Sequence, residues 1–374
     1  MSLSARAVVT AVFFAFAVGL GLWAGAIPAL MRQSGLDVAG LGIALTFHTA
    51  AYIAAMAGGG QLARIVPPRR LMLLAMAANL PCFGLLFTAG SPLWLTLALT
   101  AMGLSAGLLD LAMNTEGTAV EHDLHRPVLL SMHASASAAF ALGALGGSLI
   151  GTAAGPAWCA LLVLGVSLPV MLALHRLGPR PHPVVAPLAV PASRGAGHGV
   201  ARVGIVLGLT IGAEMAAQMW SARFLERQAA ELAAFAGAGA AFFAGFQAVV
   251  RLLGDALRRR LGDPLVILVS LAVAALGFVT VATSLWFVQS LVGFALVGLG
   301  TACVVPCCFA LIARRAAERA AAALGIASLV AGAIRLPTPL VLGAVAATWG
   351  DAQVFALVAA GLAVALLLSR SPAP

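Results

Sequence analysis

The chain has 374 residues, of which 62% are hydrophobic and 9% are charged. Soluble domains carry roughly 25% charged residues, so this composition excludes an ordinary soluble protein. The net charge of +9 does not indicate nucleic-acid binding, because the basic residues lie in short loops between apolar runs of about 20 residues, the pattern of a membrane protein.

Twelve apolar segments in two sets of six predict an all-α membrane protein built from two six-helix bundles. The first set covers residues 7–30, 38–62, 70–89, 93–116, 128–151 and 155–175. The second set covers residues 203–225, 232–257, 264–282, 286–312, 320–347 and 351–369.

A proline- and arginine-rich stretch, residues 177–202, separates the two sets. Repeated prolines break helices and form a semi-rigid spacer. The predicted domains are therefore an N-terminal bundle (1–176), a linker (177–202) and a C-terminal bundle (203–374). Two equal hydrophobic halves indicate a secondary transporter with its substrate site between them.

The arginines predict the orientation, because cytoplasmic loops are enriched in basic residues. With both termini inside, only Arg32, Arg223 and Arg227 face outward, Arg335 falls within a span, and the other arginines lie inside. We expect a bacterial inner-membrane protein with both termini and the linker in the cytoplasm.

Two loops at equivalent places in the two halves are similar, Gly60–Arg70 after span 2 and Arg251–Gly262 after span 8. Both resemble the loop 2–3 signature of the major facilitator superfamily, Gly-x-Leu-Ala-Asp-Arg-x-Gly-Arg-Arg. The second copy keeps an acid, Asp255, whereas the first has Arg64 in that place. The resemblance implies a gating role for Arg251 and Asp255.

A second resemblance lies in the run Asp110-Leu-Ala-Met-Asn114, followed by Glu121 and by Ser131-Met-His133-Ala-Ser135. This run is similar to the YbjJ-type branch of that superfamily. Copper importers of the CcoA type and alphaproteobacterial riboflavin importers look like relatives of the same branch. The Met-x-x-x-Met mark of the copper importers is matched by Met215 and Met219, while their His-x-x-x-Met motif is absent.

Charged groups inside a bilayer are costly and mark functional sites by default. Glu214 and Arg335 are predicted near the midplane, with Gln218 one turn from Glu214 on the same helix face. Glu214 is interpreted either as a coupling acid or substrate ligand, or as a protonated structural carboxyl. Arg335 must find a carboxylate, a carbonyl or a substrate anion, and Glu214 is its expected partner.

Further polar residues are predicted in spans 2, 4 and 5. Asp110, Asn114 and His133 are expected toward the cytoplasmic ends, as a proton relay or, preferably, as a clamp between helices. His48 in span 2 is expected to pack through hydrogen bonds, with a ligand role as the alternative.

Two sulfur pairs share helical spacing, Met215 with Met219 and Cys303 with Cys307. Soft ligands select Cu(I), but Met and Cys are also ordinary apolar core residues. The five cysteines all lie in apolar runs, so no disulfide framework is expected. No nucleotide-binding motif is present, which argues against ATP-driven transport, and no cofactor is predicted.

The predicted function is proton-coupled import of a small solute by alternating access, in a monomer that contacts the lipid bilayer and no nucleic acid. An organic nutrient such as riboflavin is the first candidate, because a fixed arginine repels Cu(I). A copper importer of the CcoA type is the alternative, and drug or metabolite efflux is a third. An enzyme or a sensor ranks lower, because the polar candidates lie at several depths.

Overall fold

The computed structural model describes residues 4–178, 198–316 and 320–370, without the side chains of residues 198, 255, 315, 316, 320 and 321. These described residues form helices and no strand. Within them, twelve segments are long and apolar enough to cross a membrane. The predicted all-α fold with twelve spans is confirmed.

The N-terminal spans are single helices: α1 (Ala5–Ser34), α2 (Val38–Leu62), α3 (Pro68–Phe87), α4 (Pro92–Leu124), α5 (Leu129–Ala153) and α6 (Ala157–Leu177). The C-terminal half contains α7 (His198–Met219), α8 (Ser221–Gln228), a short 3-10 helix (Ala230–Phe235), α9 (Ala238–Leu261), α10 (Asp263–Ala282), α11 (Phe287–Thr301), α12 (Val304–Ala316), α13 (Ala320–Arg335), α14 (Thr338–Thr348) and α15 (Asp351–Arg370).

Three predicted boundaries were wrong. Helix α4 continues to Leu124 rather than residue 116, and Glu121 near its end accepts hydrogen bonds from the first backbone N–H groups of α5. The span predicted to reach residue 225 is interrupted after Met219, where buried Trp220 separates α7 from α8. The predicted loop after span 8 is helical to Leu261 and ends at Gly262, whose φ is 75°.

Small residues allow the helices of the N-terminal bundle to pack closely, as in membrane helix pairs of the Gly-xxx-Gly type. On α1, a Cβ at Gly21 would lie 2.2 Å from the Phe140 carbonyl oxygen of α5. On α5, a Cβ at Gly147 would lie 2.1 Å from the Leu22 carbonyl oxygen. Any side chain at these glycines would push α1 and α5 apart.

Most helix contacts fall within each set of six spans, and two seams join the sets, α5 against α9 and α2 against α14. We call the end of the bundle where α6 ends and α7 begins the linker side, and the opposite end the distal side. The linker side is the predicted cytoplasmic side, and this orientation stays a prediction. Most of the predicted linker, residues 179–197, lies outside the described residues.

Candidate functional site

Two spans of the C-terminal half are interrupted at the centre of the membrane-spanning region. Helix α11 ends at Thr301 and α12 begins at Val304, while α13 ends at Arg335 and α14 begins at Thr338. Thr301 and Arg335 lie at the centres of the spans Phe287–Arg314 and Ala322–Thr348. Discontinuous helices at this depth are typical of the substrate sites of transporters, because their interrupted backbone lines a cavity.

A polar group occupies the centre of the N-terminal bundle. The Tyr52 hydroxyl donates to Asp110 Oδ2 at 2.5 Å, and Asn114 Nδ2 donates to Asp110 Oδ1 at 2.9 Å. The Asn114 Oδ1 lies 3.0 Å from His133 Nε2, so this nitrogen must carry the proton if Asn114 accepts. Three helices, α2, α4 and α5, are thereby joined.

Glycines of α4 bring Tyr52 within reach of Asp110. A Cβ at Gly103 would lie 2.3 Å from the His48 carbonyl oxygen, and one at Gly107 would lie 2.5 Å from that of Tyr52. The spacing Gly103-x-x-x-Gly107 is a sequence signal for close helix packing. Because α4 runs from Pro92 to Leu124, Asp110 lies near the centre of this helix. The prediction that Asp110 lies toward the cytoplasmic end of its span is therefore wrong.

A second polar group lies in the C-terminal bundle, at Glu214. Gln247 Nε2 lies 2.9 Å from Glu214 Oε1 and 3.3 Å from Thr301 Oγ1. The Gln247 Oε1 lies 3.3 Å from the Ser137 hydroxyl of α5. Arg251 Nη1 donates to the same hydroxyl at 2.6 Å, so Ser137 joins the two bundles at the α5–α9 seam.

The two groups meet on α5, where Ser137 lies one turn from His133 and its hydroxyl lies 3.1 Å from the His133 backbone carbonyl oxygen. This hydroxyl has a single hydrogen and so donates to His133 or to Gln247 at any moment. We call the whole set the central polar network; its members are Tyr52, Asp110, Asn114, His133, Ser137, Glu214, Gln247, Arg251, Thr301 and Arg335.

Arg335 joins the network through an aromatic ring. Its guanidinium carbon lies 4.7 Å from the centroid of the Tyr52 ring, across the α2 seam. The expected ion pair with Glu214 is wrong for this structure, since neither residue has a salt bridge within the described part of the chain. The reason is that Arg335 extends toward α2, whereas Glu214 faces α9 and α11.

Two further predicted residues flank the network. His48 Nδ1 lies 3.0 Å from the Leu99 carbonyl oxygen and must therefore donate to it. Its ring is edge-on to Trp23, 5.1 Å between centroids, which agrees with the packing interpretation. Gln218 is half-buried, one turn distal of Glu214, and forms no hydrogen bond with a described residue.

The sulfur pairs lie on opposite sides of the network. Met215 and Met219 follow Glu214 toward the distal side, whereas Cys303 and Cys307 follow Thr301 toward the linker side. From Met219 to Cys307 the separation along the membrane is roughly 15 Å at 1.5 Å per helical residue. Among the described residues no group of three His, Cys, Asp or Glu side chains could hold a metal.

Ion pairs fasten the linker side of each bundle. Asp263 at the start of α10 binds Arg258 at 2.8 Å and also Arg314. In the N-terminal bundle Arg69 binds the buried carboxylate of Glu116 at 2.8 Å. The side chain of Asp255, for which a gating role was predicted, lies outside the described residues.

Charged residues also meet on the distal side, around α8. Glu226 binds Arg32 of α1 at 2.5 Å, and Asp351 binds both Arg223 and Arg227. Partial burial, with Arg227 nearby, lowers the pKa of Arg223 to about 10, so this guanidinium stays charged at neutral pH. The Arg32–Glu226 pair crosses between the bundles.

Several of these residues were missed in the sequence. Ser137 and Thr301 are hydroxyl residues in apolar helices and carry no signal of their own, because such side chains often bond only to their own helix. Glu116 was placed at the end of its span, and Asp263 just before one, so neither was treated as a buried acid.

No protein-family model matches the sequence. The chain is 28% identical over 359 residues to an uncharacterized MFS-type transporter of Yersinia pestis, covering 95% of this chain and 91% of the relative. It is 27% identical over 315 residues to an uncharacterized transporter of Sinorhizobium fredii, covering 80% of each.

Solved structures share the architecture. The nucleoside transporter NupG superposes with a TM-score of 0.75 at 13% identity, over 98% of both chains. The human organic anion transporter MFSD10 superposes with a TM-score of 0.64 at 18% identity, over 98% of this chain and all of the other. The fold is that of the major facilitator superfamily.

These relatives and structural neighbours are transporters rather than enzymes, which agrees with the prediction that the chain is not an enzyme. Together with the twelve spans they indicate an MFS-type transporter, a multi-pass membrane protein. The YbjJ-type branch and its copper and riboflavin relatives stay predictions.

Proposed function

We propose that this protein is a secondary transporter that imports a small organic solute together with protons, with the central polar network as its binding and coupling site. The observation that supports this proposal best is the meeting of half-buried groups of both charges near the centre of the membrane-spanning region, beside the seams between the bundles. Such groups are costly in a bilayer and are retained where a solute or proton must be handled.

The packing of the seams supports alternating access. Helix α2 packs along α14 on the distal side, and a Cβ at Gly42 would lie 2.7 Å from the Pro339 carbonyl oxygen. On the linker side, Gly58 of α2 and Gly325 of α13 have no atom within 4 Å of a Cβ position. We infer a conformation that is closed distally and opens toward the linker between α2 and α13.

The network contains the groups that coupling to protons requires. Asp110 and Glu214 are half-buried carboxyls held by neutral donors rather than by arginines. A carboxyl held in this way can gain a proton without breaking an ion pair. Protonation would change the bonds made to Tyr52 and Gln247, the residues through which Asp110 and Glu214 reach the two seams, which gives a route from proton binding to movement of the bundles.

Uptake into proteoliposomes tests this coupling role. Glu214→Gln should fold and still exchange solute, but its uptake should lose its dependence on an imposed pH difference, because glutamine mimics the protonated acid. Ser148→Ala, a buried change on α5 outside the network, is the control and should keep the dependence. Full pH-dependent uptake by Glu214→Gln would remove Glu214 from the coupling site.

The solute itself can be sought by genetic rescue. Expression of the protein in riboflavin-requiring and in copper-limited strains distinguishes the two candidates, and rescue of the first strain alone would favour riboflavin over copper. Rescue of the copper-limited strain alone would favour the copper alternative. Failure to rescue either strain would leave other organic solutes, or efflux, as the candidate functions.

The copper alternative has its own variant. Met215→Leu combined with Met219→Leu conserves volume and apolarity, so packing should change by less than about 1.5 kcal/mol. Because Met219, Cys303 and Cys307 are nearly inaccessible to solvent, at 6%, 2% and 0% exposure, we expect the double variant to transport normally. Loss of copper accumulation at unchanged protein level would overturn that expectation.

A further inference from the structure

Arg335 is half-buried at the centre of its span, and its hydrogen-bonding capacity is incompletely used. Its Nε is inaccessible to solvent and has no hydrogen-bond partner among the described residues. The guanidinium carbon lies over the Tyr52 ring, 4.7 Å from the centroid. A guanidinium has five N–H donors and no acceptor, so at least one donor of this side chain has no protein partner in this conformation.

No carboxylate of the described residues forms a salt bridge with Arg335. Both Asp110 oxygens accept from other side chains, Oδ2 from Tyr52 and Oδ1 from Asn114. Glu214 Oε1 accepts from Gln247. An arginine kept only for structure would be expected to bind a carboxylate directly, because an unpaired charge at this depth costs at least about 2.5 kcal/mol. The arrangement instead leaves the positive charge without a direct counter-ion.

The backbone around Arg335 also fits a binding site. The residue ends α13, and Leu336 and Pro337 separate it from α14. The interruption lies beside α2, at the level where the closed distal part of the seam gives way to the linker-side opening. A solute that enters from the linker side therefore meets Arg335 at the end of the opening.

We propose that Arg335 binds a carboxylate of the transported solute, so that the substrates are organic anions. This inference rests on the transport function proposed above and names its substrate class. The planar fork of a guanidinium matches the two oxygens of a carboxylate and can donate to both. Contact with the Tyr52 ring restricts the movement of the guanidinium, which lowers the ordering cost of binding.

Binding to the purified protein in detergent tests the site without knowledge of the natural solute. Acetate and benzoate, each compared with its amide at equal ionic strength, serve as probes, and the melting temperature of the protein is the readout. The carboxylates should stabilise the wild-type protein more than the amides do. Arg335→Gln should weaken carboxylate binding at least tenfold and remove the difference, while Arg335→Lys should keep part of it.

The matched control is Arg176→Gln, which removes an exposed arginine at the end of α6 and should leave the carboxylate preference intact. Equal effects of acids and amides on the wild-type protein would overturn the proposal. Survival of the preference in Arg335→Gln would also overturn it, provided that this variant melts cooperatively without ligand.

The anion site and the transport function can fail separately. If proteoliposomes accumulate neutral or cationic solutes equally well with the wild-type protein and with the Arg335→Gln variant, the anion site is wrong and transport stands. If carboxylates bind through Arg335 but no carboxylate crosses the membrane, the anion site stands and the transport proposal is wrong.

Discussion

The two seams between the bundles differ in their construction. The α5–α9 seam has direct contacts at several depths, from Gly237 against Ala144 on the distal side to the Ser137–Arg251 hydrogen bond at the network. The α2 seam is tight only against α14, and its link to α13 is the contact of Arg335 with the Tyr52 ring. We infer that the first seam acts as the hinge and the second as the opening.

The strongest test of the hinge is a methyl group at Gly237. In Gly237→Ala the new Cβ would lie 1.9 Å from the Ala144 carbonyl oxygen, so the backbones must separate, which should cost about 1–3 kcal/mol. Gly245→Ala on the same helix is the control, because its Cβ has no neighbour closer than 4.0 Å. The melting temperature in detergent should fall for the first variant only; equal values would show that the seam is not tightly constrained.

A chemical test of the same seam removes the Ser137 hydroxyl. Ser137→Ala leaves the half-buried Arg251 without its 2.6 Å acceptor, and an unsatisfied buried donor costs up to about 1–3 kcal/mol. Ser148→Ala on the same helix loses only a bond to its own helix, to the Leu145 carbonyl, and should change the stability less. A smaller loss of stability in Ser137→Ala than in Ser148→Ala would contradict the role given to this hydroxyl.

The opening seam should respond by changing conformation rather than by unfolding. Gly42→Ala introduces a Cβ 2.7 Å from the Pro339 carbonyl oxygen, and α2 can move away from α14 because its linker-side half is loosely packed. We expect about a tenfold shift toward the distally open state, or about 1.4 kcal/mol. Labelling of a cysteine placed at Gln218 should accelerate in Gly42→Ala and not in Gly58→Ala; no change in rate would argue against an opening at this seam.

The smallest effect is expected for the distal ion pair. Arg32 is 56% exposed and Glu226 is 20% exposed, so solvent screens their attraction to at most about 1 kcal/mol. Arg32→Gln should raise distal labelling slightly, and less at high salt than at low salt. Exchange of the two charges, Arg32→Glu with Glu226→Arg, should restore the original labelling rate. If the double variant is labelled as fast as Arg32→Gln, the ion pair does not stabilise the closed distal side.

The spans could be predicted from the sequence because each is a long apolar run, and the Arg251–Gly262 motif pointed to the superfamily fold. The depth of a charged residue along its helix could also be predicted from the sequence, as Glu214 and Arg335 illustrate. The residues that they contact could not be predicted, because helical periodicity gives the face of a residue but not which helix lies opposite. Arg335 therefore received Glu214 as its expected partner, although it lies on Tyr52.

The wrong predicted length of span 4 also affected the role that was predicted for Asp110. Span 4 was expected to end at residue 116, which placed Asp110 near the cytoplasm and favoured a clamp. The helix continues to Leu124, with Glu121 in its added turns accepting hydrogen bonds at the start of α5, and Asp110 lies near the centre of this longer helix. A polar tail that extends a helix by two or three turns is difficult to recognise, since its composition is that of a loop.

The glycine contact between α2 and α14 bears on how a membrane that contains this protein retains its proton gradient. At this contact backbone meets backbone, with a Cβ at Gly343 only 2.7 Å from the Gly42 Cα, which leaves no room for a file of water molecules between the two helices. Protons hop along such files, so a proton-coupled transporter of the kind proposed above must keep the closed side free of water. The backbone contact at Gly42 and Gly343 closes the seam at this depth without a separate plug or lid.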